Sequence, residues 1–412
     1  MTSQKSLHDF FCFLKNAPTA WHAAAEIGMR CAQQDFTPLD EKEPWDLRPG
    51  GCYFTVRGGA VCAFTLPTTS LKKGTILASH TDSPALKVKP NPFFHSDGLT
   101  FLRTETYGSP ILSTYLSRDL VLAGRLLLET KEGIKETLIC LDDTPFIIPS
   151  LAIHLDQKDK PISKQDHLCP LVGMKECTLE TVTNHQNILG FDLFLVPCDA
   201  PRFVGADQDL IAAYRLDNLS SAHASLLALL AAKKQKETLQ MALFWNHEEI
   251  GSGTDEGASS PFLEETLRRI SLHFKQDEEA FFCFKKSSEL ISIDMAHAFH
   301  PQYADRYDKA HAPKLGKGVV IKHHGNKRYA TDGMTAAHIT HVLKGHSLPI
   351  QNFASHSDLP CGSTVGSLSA TRTGIPTVDI GIPQLAMHSA REVISIDDQR
   401  TLSLALKSLL EA

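Results

Sequence analysis

The stretch Met241–Ser260, MALFWNHEEIGSGTDEGASS, decides the fold because it runs from an apolar strand into a pair of acids and then into glycines. Met241–Trp245 is a short, uninterrupted apolar run of the kind covered on both faces in a parallel sheet. Asn246-His247-Glu248-Glu249 follows at its carboxyl end, where Gly251, Gly253 and Gly257 allow tight backbone. In α/β proteins that edge is where ligands bind. Two adjacent carboxylates repel, so in a cleft they need cations beside them, metal ions first among these. Glu249 would then bind metal while Glu248 faces a water held by it. Taken alone the pair favours a solvated loop, and the rest of the chain has to supply partners.

The 412 residues, 42% of them hydrophobic and 8% aromatic, are enough for two domains with well-formed cores. A net charge of −6 leaves no basic stripe, which argues against nucleic acid or an anionic membrane surface as partner. Ten cysteines without a CxxC pair speak against a zinc ribbon or a disulfide framework and fit a reducing cytoplasm. Lys5, Asp9, Lys15 and Glu26 interrupt the apolar residues of Met1–Arg30, so neither a secretory leader nor a membrane span is expected.

Outward from the centre, acids and imidazoles recur at the ends of apolar runs. Thr75–Ser79 delivers His80-Thr81-Asp82, a spacing that lets the Asp82 carboxylate support a metal-bound His80 ring. Alone, H-x-D reads better as a satisfied surface pair. Residues 87–207 change texture to short β-rich pieces, Leu120–Leu128 and Glu136–Leu141 among them, and read as an inserted β domain. Within it Ile147–Leu155, IIPSLAIHL, is expected to be an apolar strand carrying His154, which by itself reads as a core or interface histidine. Asp217 lies near the start of an Ala- and Leu-rich helix over Ser220–Lys234, where its plain role is an N-cap. The strand Leu290–Ile293 ends in Asp294-Met295-Ala296-His297; Val319–Ile321 precedes Lys322, with Tyr329 further on; Thr377–Ile382 is followed by His388. Asp358–Thr364 is expected to turn into a helix N-terminus able to hold an anionic group.

His80, Asp217, Glu249, Asp294 and His388 make five candidate ligands. Two zinc ions sharing a water and one bridging carboxylate need about five residues. Glu248, left over, is placed to be the general base.

Six ordered segments, HTDSPALKVKP (80–90), RLDNLSS (215–221), NHEEIGS (246–252), DMAHAFHP (294–301), DLPCGST (358–364) and PQLAMHSAREV (383–393), resemble the M18 metallopeptidases, the aspartyl aminopeptidase family. The resemblance spans nearly the whole chain. It implies a phosphorylase/hydrolase-like α/β/α zinc-peptidase domain formed by residues 1–86 and 208–412, interrupted by a β-rich dimerisation domain over 87–207. It implies two Zn2+ per subunit, with Co2+ or Mn2+ as substitutes: His80 and Asp294 on one, Glu249 and His388 on the other, Asp217 bridging, Glu248 as general base, and Asp82 behind His80. It also marks His154 as the histidine that the β domain lends to a neighbouring subunit's active site, and His297, Lys322 and Tyr329 as substrate contacts. A homodimer, and the dodecamers that family members build from dimers, follow from the same likeness. Two departures stand out: His247 replaces the Asn of many relatives, and Leu155–Cys177 is shorter and more polar than the family's usual insert.

The leading expectation is an exopeptidase removing N-terminal Asp or Glu from peptides, since an ammonium at Lys322 facing the cleft would take an acidic side chain. Competing readings are a zinc hydrolase of the same fold with neutral aminopeptidase or deacylase specificity, and a non-catalytic metal-stabilised scaffold.

Overall fold

The computed structural model describes residues 3–156 and 161–412; part of the shortened Leu155–Cys177 segment, residues 157–160, lies outside the described residues. Thr238–Trp245 is the central strand and is buried along its whole length. It runs parallel to Lys73–His80 and antiparallel to Ala60–Thr65, so the sheet expected to be parallel is mixed. Beyond Lys73–His80 the sheet continues through Glu289–Ile293 and Thr377–Gly381, both parallel, to Val319–His323, which is antiparallel, and Ile350–Ala354.

Alternation along the central strand explains the layering. Ala242 and Phe244 pack with the helices Ala20–Ala32, Leu216–Ala231 and Ile396–Leu410, while Met241, Leu243 and Trp245 pack with Phe262–His273 and Glu278–Ser287 on the other face. A period of two on a strand buried on both sides produces two apolar faces, and each must be covered by helices. The result is an α/β/α sandwich.

A second sheet draws its strands from between Ala85 and Pro197 and closes into a barrel, because Ile188–Pro197 pairs with both Ala85–Ser96 and Asp119–Thr130. This is the β-rich insert. Gly124, at φ +148°, lies against Ile188–Pro197: a Cβ there would be 2.1 Å from the Asp192 carbonyl oxygen. The expected apolar strand over Ile147–Leu155 does not form. Only Phe146–Ile147 pairs, because Pro149 has no N–H to donate, and Leu151, Ile153, His154 and Leu155 stand exposed in a loop.

The N-terminal stretch forms helices Ser3–Asn16 and Ala20–Ala32, broken at Pro18. All ten cysteines are free, and among the described residues no helix is long and apolar enough to cross a membrane.

Close packing ties this sheet to the cluster at its edge. A Cβ on Gly381 would sit 1.8 Å from the carbonyl oxygen of Asp294 on the neighbouring strand end. Gly381→Ala is therefore expected to cost about 1–3 kcal/mol, read as a lower denaturant midpoint with the slope unchanged. An unaltered midpoint would show that the two strand ends are not packed this closely.

Candidate functional site

Three parallel strand ends and two loops deliver the acids to one cleft. His80 closes Lys73–His80, Asp294 follows Glu289–Ile293, and Glu248-Glu249 begin a single 3-10 turn just after Thr238–Trp245. His247 makes the sharp exit at φ 62°, its N–H accepted by Asn246 Oδ1 at 2.8 Å. Asp217 sits in the first turn of Leu216–Ala231 but caps nothing, and its own N–H donates to Glu392 Oε2 at 3.0 Å.

Asp217 faces two separate groups. Its Oδ1 is 3.5 Å from His80 Nε2, which is 3.6 Å from Asp294 Oδ1. Its Oδ2 is 3.6 Å from His388 Nε2, which is 3.3 Å from Glu249 Oε2. Each trio could hold a metal ion. Ligand atoms about 2.1 Å from a tetrahedral zinc lie roughly 3.4 Å from each other, the spacing seen here. Both rings are oriented for it: His80 Nδ1 donates to the Asp82 carbonyl at 3.1 Å and His388 Nδ1 to the Ser109 carbonyl at 3.2 Å, leaving each Nε2 lone pair aimed at the acids.

The electrostatics ask for a cation. Burial pushes the Glu248 carboxyl up to about 8, and the negative charges of Asp294, Asp82 and Asp217 add to this against the opposing pull of His80. Burial, then Asp217 and Glu248, hold Glu249 well above the carboxylate range. Burial also opposes ionisation of Asp217, but His388 and His80 outweigh it and keep its pKa low. Asp217 Oδ1 and Glu249 Oε1 are buried without any hydrogen-bond partner. Unpaired buried acceptors grouped with imidazoles are what a divalent cation would satisfy.

Asp82 does more than stand behind His80. Its carboxylate lies 3.4 Å from His80 Nδ1, but it also accepts the N–H groups of Glu248 and Glu249, each at 3.1 Å, and the Tyr107 hydroxyl at 2.8 Å. One side chain thus fixes the strand carrying His80 to the turn carrying both glutamates.

His297, Lys322 and Tyr329 also line the cleft; His154 does not. Lys322 is buried, with Nζ 3.4 Å from Asp294 Oδ2 and 5.3 Å from the Tyr329 ring centre. Its nearest anion is therefore a residue of the cluster, where the sequence reading placed a substrate carboxylate. Burial, then the Lys322 charge, push His297 below the usual histidine range. The Asp358–Thr364 turn does lead into a helix, Val365–Thr373, and Gly362, Ser363 and Thr364 reach the cleft.

Two residues escaped the sequence reading. Glu392 accepts from Asp217 N–H and, through Oε1, from His388 N–H at 2.8 Å, so it clamps the backbones of two cluster members. Asp379 accepts from Ala330 N–H at 2.6 Å and from the Thr364 hydroxyl, anchoring the Tyr329 loop and the helix start. Neither has a local signal; only an acid inside an apolar run, as Asp379 is in Thr377–Gly381, hints at a buried role.

Comparison with known proteins agrees with this geometry. Residues 13–409 match the model of the family described as aminopeptidase I zinc metalloprotease (M18). A probable M18 family aminopeptidase 2 of Azotobacter vinelandii is 38% identical over 406 residues, covering 94% of this chain and 93% of the relative. Its counterpart in Pseudomonas fluorescens is 36% identical with the same coverage. The crystal structure of an M18 family aminopeptidase from Thermotoga maritima superposes with a TM-score of 0.89 at 28% identity, over 99% of this chain and 96% of that one. The mApe1 dodecamer of S. cerevisiae gives 0.87 at 25% identity, over 98% of this chain and 96% of that one. A cluster of acids and imidazoles at the sheet edge, a β-rich insert and a match along almost the entire length together make this chain a member of the M18 family of zinc metalloaminopeptidases.

Proposed function

We propose that this M18 aminopeptidase is a two-zinc enzyme preferring peptides with N-terminal Asp or Glu, and that it works in the cytoplasm as a homo-oligomer built from dimers. The observation that carries the two-metal reading is the pair of Asp217 oxygens, each turned to a different histidine and a different acid. His80 and Asp294 would hold one ion, Glu249 and His388 the other, with Asp217 between them. When bound, zinc would supply Lewis-acid polarisation of the scissile carbonyl and a lowered pKa for the attacking water.

The protein's own side chains do the rest. Glu248, on the turn that faces the cleft beside both trios, accepts the water's proton and passes it to the leaving amine. Asp82, through the two glutamate N–H groups, holds in place the backbone turn that carries Glu248. His297, Lys322 and Tyr329 form the wall that would receive the substrate's first side chain. Residues 87–207 would pair subunits, and His154 would reach a neighbour's cleft. Its exposure between Leu151, Ile153 and Leu155, themselves exposed, supports this, as does the dodecameric S. cerevisiae relative. The ten free cysteines support a reducing compartment.

Glu248→Gln should retain zinc but lose turnover by roughly 100- to 10,000-fold, since only the proton acceptor goes, whereas Asp217→Ala should lose zinc. Metal analysis and steady-state rates on both variants decide this; near-normal kcat in Glu248→Gln removes Glu248 from the proposed role.

His154→Ala is expected to fold, load zinc and turn over slowly. Mixed with Glu248→Gln subunits it should recover activity, because a hybrid pair contains one site with both residues intact. Absence of recovery after verified subunit exchange argues against supply from a neighbour.

Lys322→Leu tests the acidic preference. A charge-assisted hydrogen bond contributes about 1.5–3 kcal/mol, so kcat/KM for acidic substrates should fall roughly 10- to 150-fold more than for neutral ones. The ratio is the readout, because losing the contact to Asp294 slows both classes alike. An unchanged ratio withdraws the preference.

A further inference from the structure

The trio of Asp217, Glu249 and His388 differs from that of His80, Asp217 and Asp294 in where its supports come from. Every polar group of His388 apart from Nε2 is engaged: its N–H donates to Glu392 Oε1 at 2.8 Å, its carbonyl accepts from Ile111 N–H at 2.9 Å, and Nδ1 donates to the Ser109 carbonyl at 3.2 Å. Ser109 and Ile111 belong to the β-rich insert, on the loop between its strands Leu99–Tyr107 and Asp119–Thr130. Two residues beyond His388, the Ala390 N–H donates to the Thr114 hydroxyl of the same loop at 2.9 Å, and that hydroxyl donates in turn to the Ile111 carbonyl at 2.6 Å. Ala390 is fully buried and belongs to the apolar cluster of Tyr115, Leu120 and Leu195, which is the core of the insert.

The loop meets Glu249 as well. Gly108, at φ +68°, lies so close that a Cβ there would stand 3.2 Å from Glu249 Cβ and 3.3 Å from the Glu249 carbonyl oxygen. The other histidine and acid are supported from within the α/β/α sandwich: His80 Nδ1 donates to the Asp82 carbonyl, Asp294 N–H donates to the Ile380 carbonyl, and Lys322 flanks Asp294 Oδ2. The insert reaches that side only at one remove, through the Tyr107 hydroxyl on Asp82. His388 also needs holding more than His80 does. It stands at φ +66°, a conformation that a residue with a side chain keeps only where its surroundings impose it.

We propose that the insert loop Gly108–Tyr115 is a positioning element for the second metal ion, with Thr114 as the positioning residue that locks it to the His388 turn. The proposal rests on the two-ion reading given above and adds to the insert a task within its own subunit, separate from pairing subunits. An imidazole and a carboxylate free to turn away would present their ligand atoms together only part of the time, and affinity for the ion would fall with that fraction. The loop removes this freedom by fixing the backbone of His388, the tilt of its ring and the approach to Glu249. Affinity at the His80 and Asp294 side does not draw on it.

Stepwise removal of zinc from the loaded full-length protein by a chromophoric chelator provides the test. Wild type should release two equivalents. Thr114→Val, which keeps the side-chain shape and removes the hydroxyl, should hold one ion as tightly as wild type and the other roughly 10- to 100-fold more weakly, the usual effect of removing a group that orients a metal ligand. Thr114→Ser, which keeps the hydroxyl, should restore the affinity. Gly108→Ala, strained at that φ and crowding Glu249, should weaken the same ion, and it decides the matter should Thr114→Val fail to fold. Loaded with one equivalent of Co2+, both weakened variants should show the visible spectrum of His388→Ala, in which only the His80 trio is intact. Two affinities unchanged in Thr114→Val, or both lowered alike, overturn the proposal and leave the two-ion reading standing; a wild type that releases a single equivalent overturns both.

Discussion

Four carboxylates brought together where water is largely excluded is the condition around which this molecule is arranged. Asp217, Glu248, Glu249 and Asp294 line one cleft with two histidines among them, and in a medium of low dielectric their repulsion has to be answered. The protein answers it with backbone N–H groups, ring nitrogens and the Lys322 ammonium at the rim. What it leaves open is two buried oxygens without a donor, which a divalent cation would satisfy.

Holding such a cluster requires a rigid frame, and the mixed sheet supplies it. Strand ends fix His80, Asp294 and the entry to Glu248-Glu249, while acids that take no part in the cluster itself, Asp82, Glu392 and Asp379, bind the backbones of those that do or of the loops beside them. The separations they bridge run from 175 residues, between Asp217 and Glu392, down to four, between Glu392 and His388. The buried hydrogen bonds fix geometry; the two apolar faces of Thr238–Trp245 supply the stability that makes this feasible.

Much of this could be read from the sequence, and the limits follow from physics. Met241–Trp245 was legible because a continuous apolar run ending in acids fits little besides a buried strand that opens onto a cleft, and the cluster was legible because its members recur at strand ends. The mixed direction of the sheet was not, since an apolar strand reads alike whichever way its neighbour runs. IIPSLAIHL misled because it has the composition of a strand while Pro149 denies it the hydrogen bonds of one. Glu392 and Asp379 were invisible for a different reason: their partners are backbone groups brought close only by folding. The match to six family motifs supplied what local pattern could not, an expected assignment of each ligand to one of two ions.

The members of the cluster lie at positions 80, 217, 249, 294 and 388, and the clamp on two of them at 392, so the chain must be made at least as far as residue 392 before they meet. A nascent chain on the ribosome carries His80 and both glutamates long before it carries His388. Until the stretch carrying residues 388 and 392 docks, the site has neither its second imidazole nor the carboxylate that holds the Asp217 and His388 backbones. Order of synthesis thus acts as a safety catch: a chain not yet made as far as residue 392 lacks part of the cluster, and the ring of acids and imidazoles closes only once that stretch has folded.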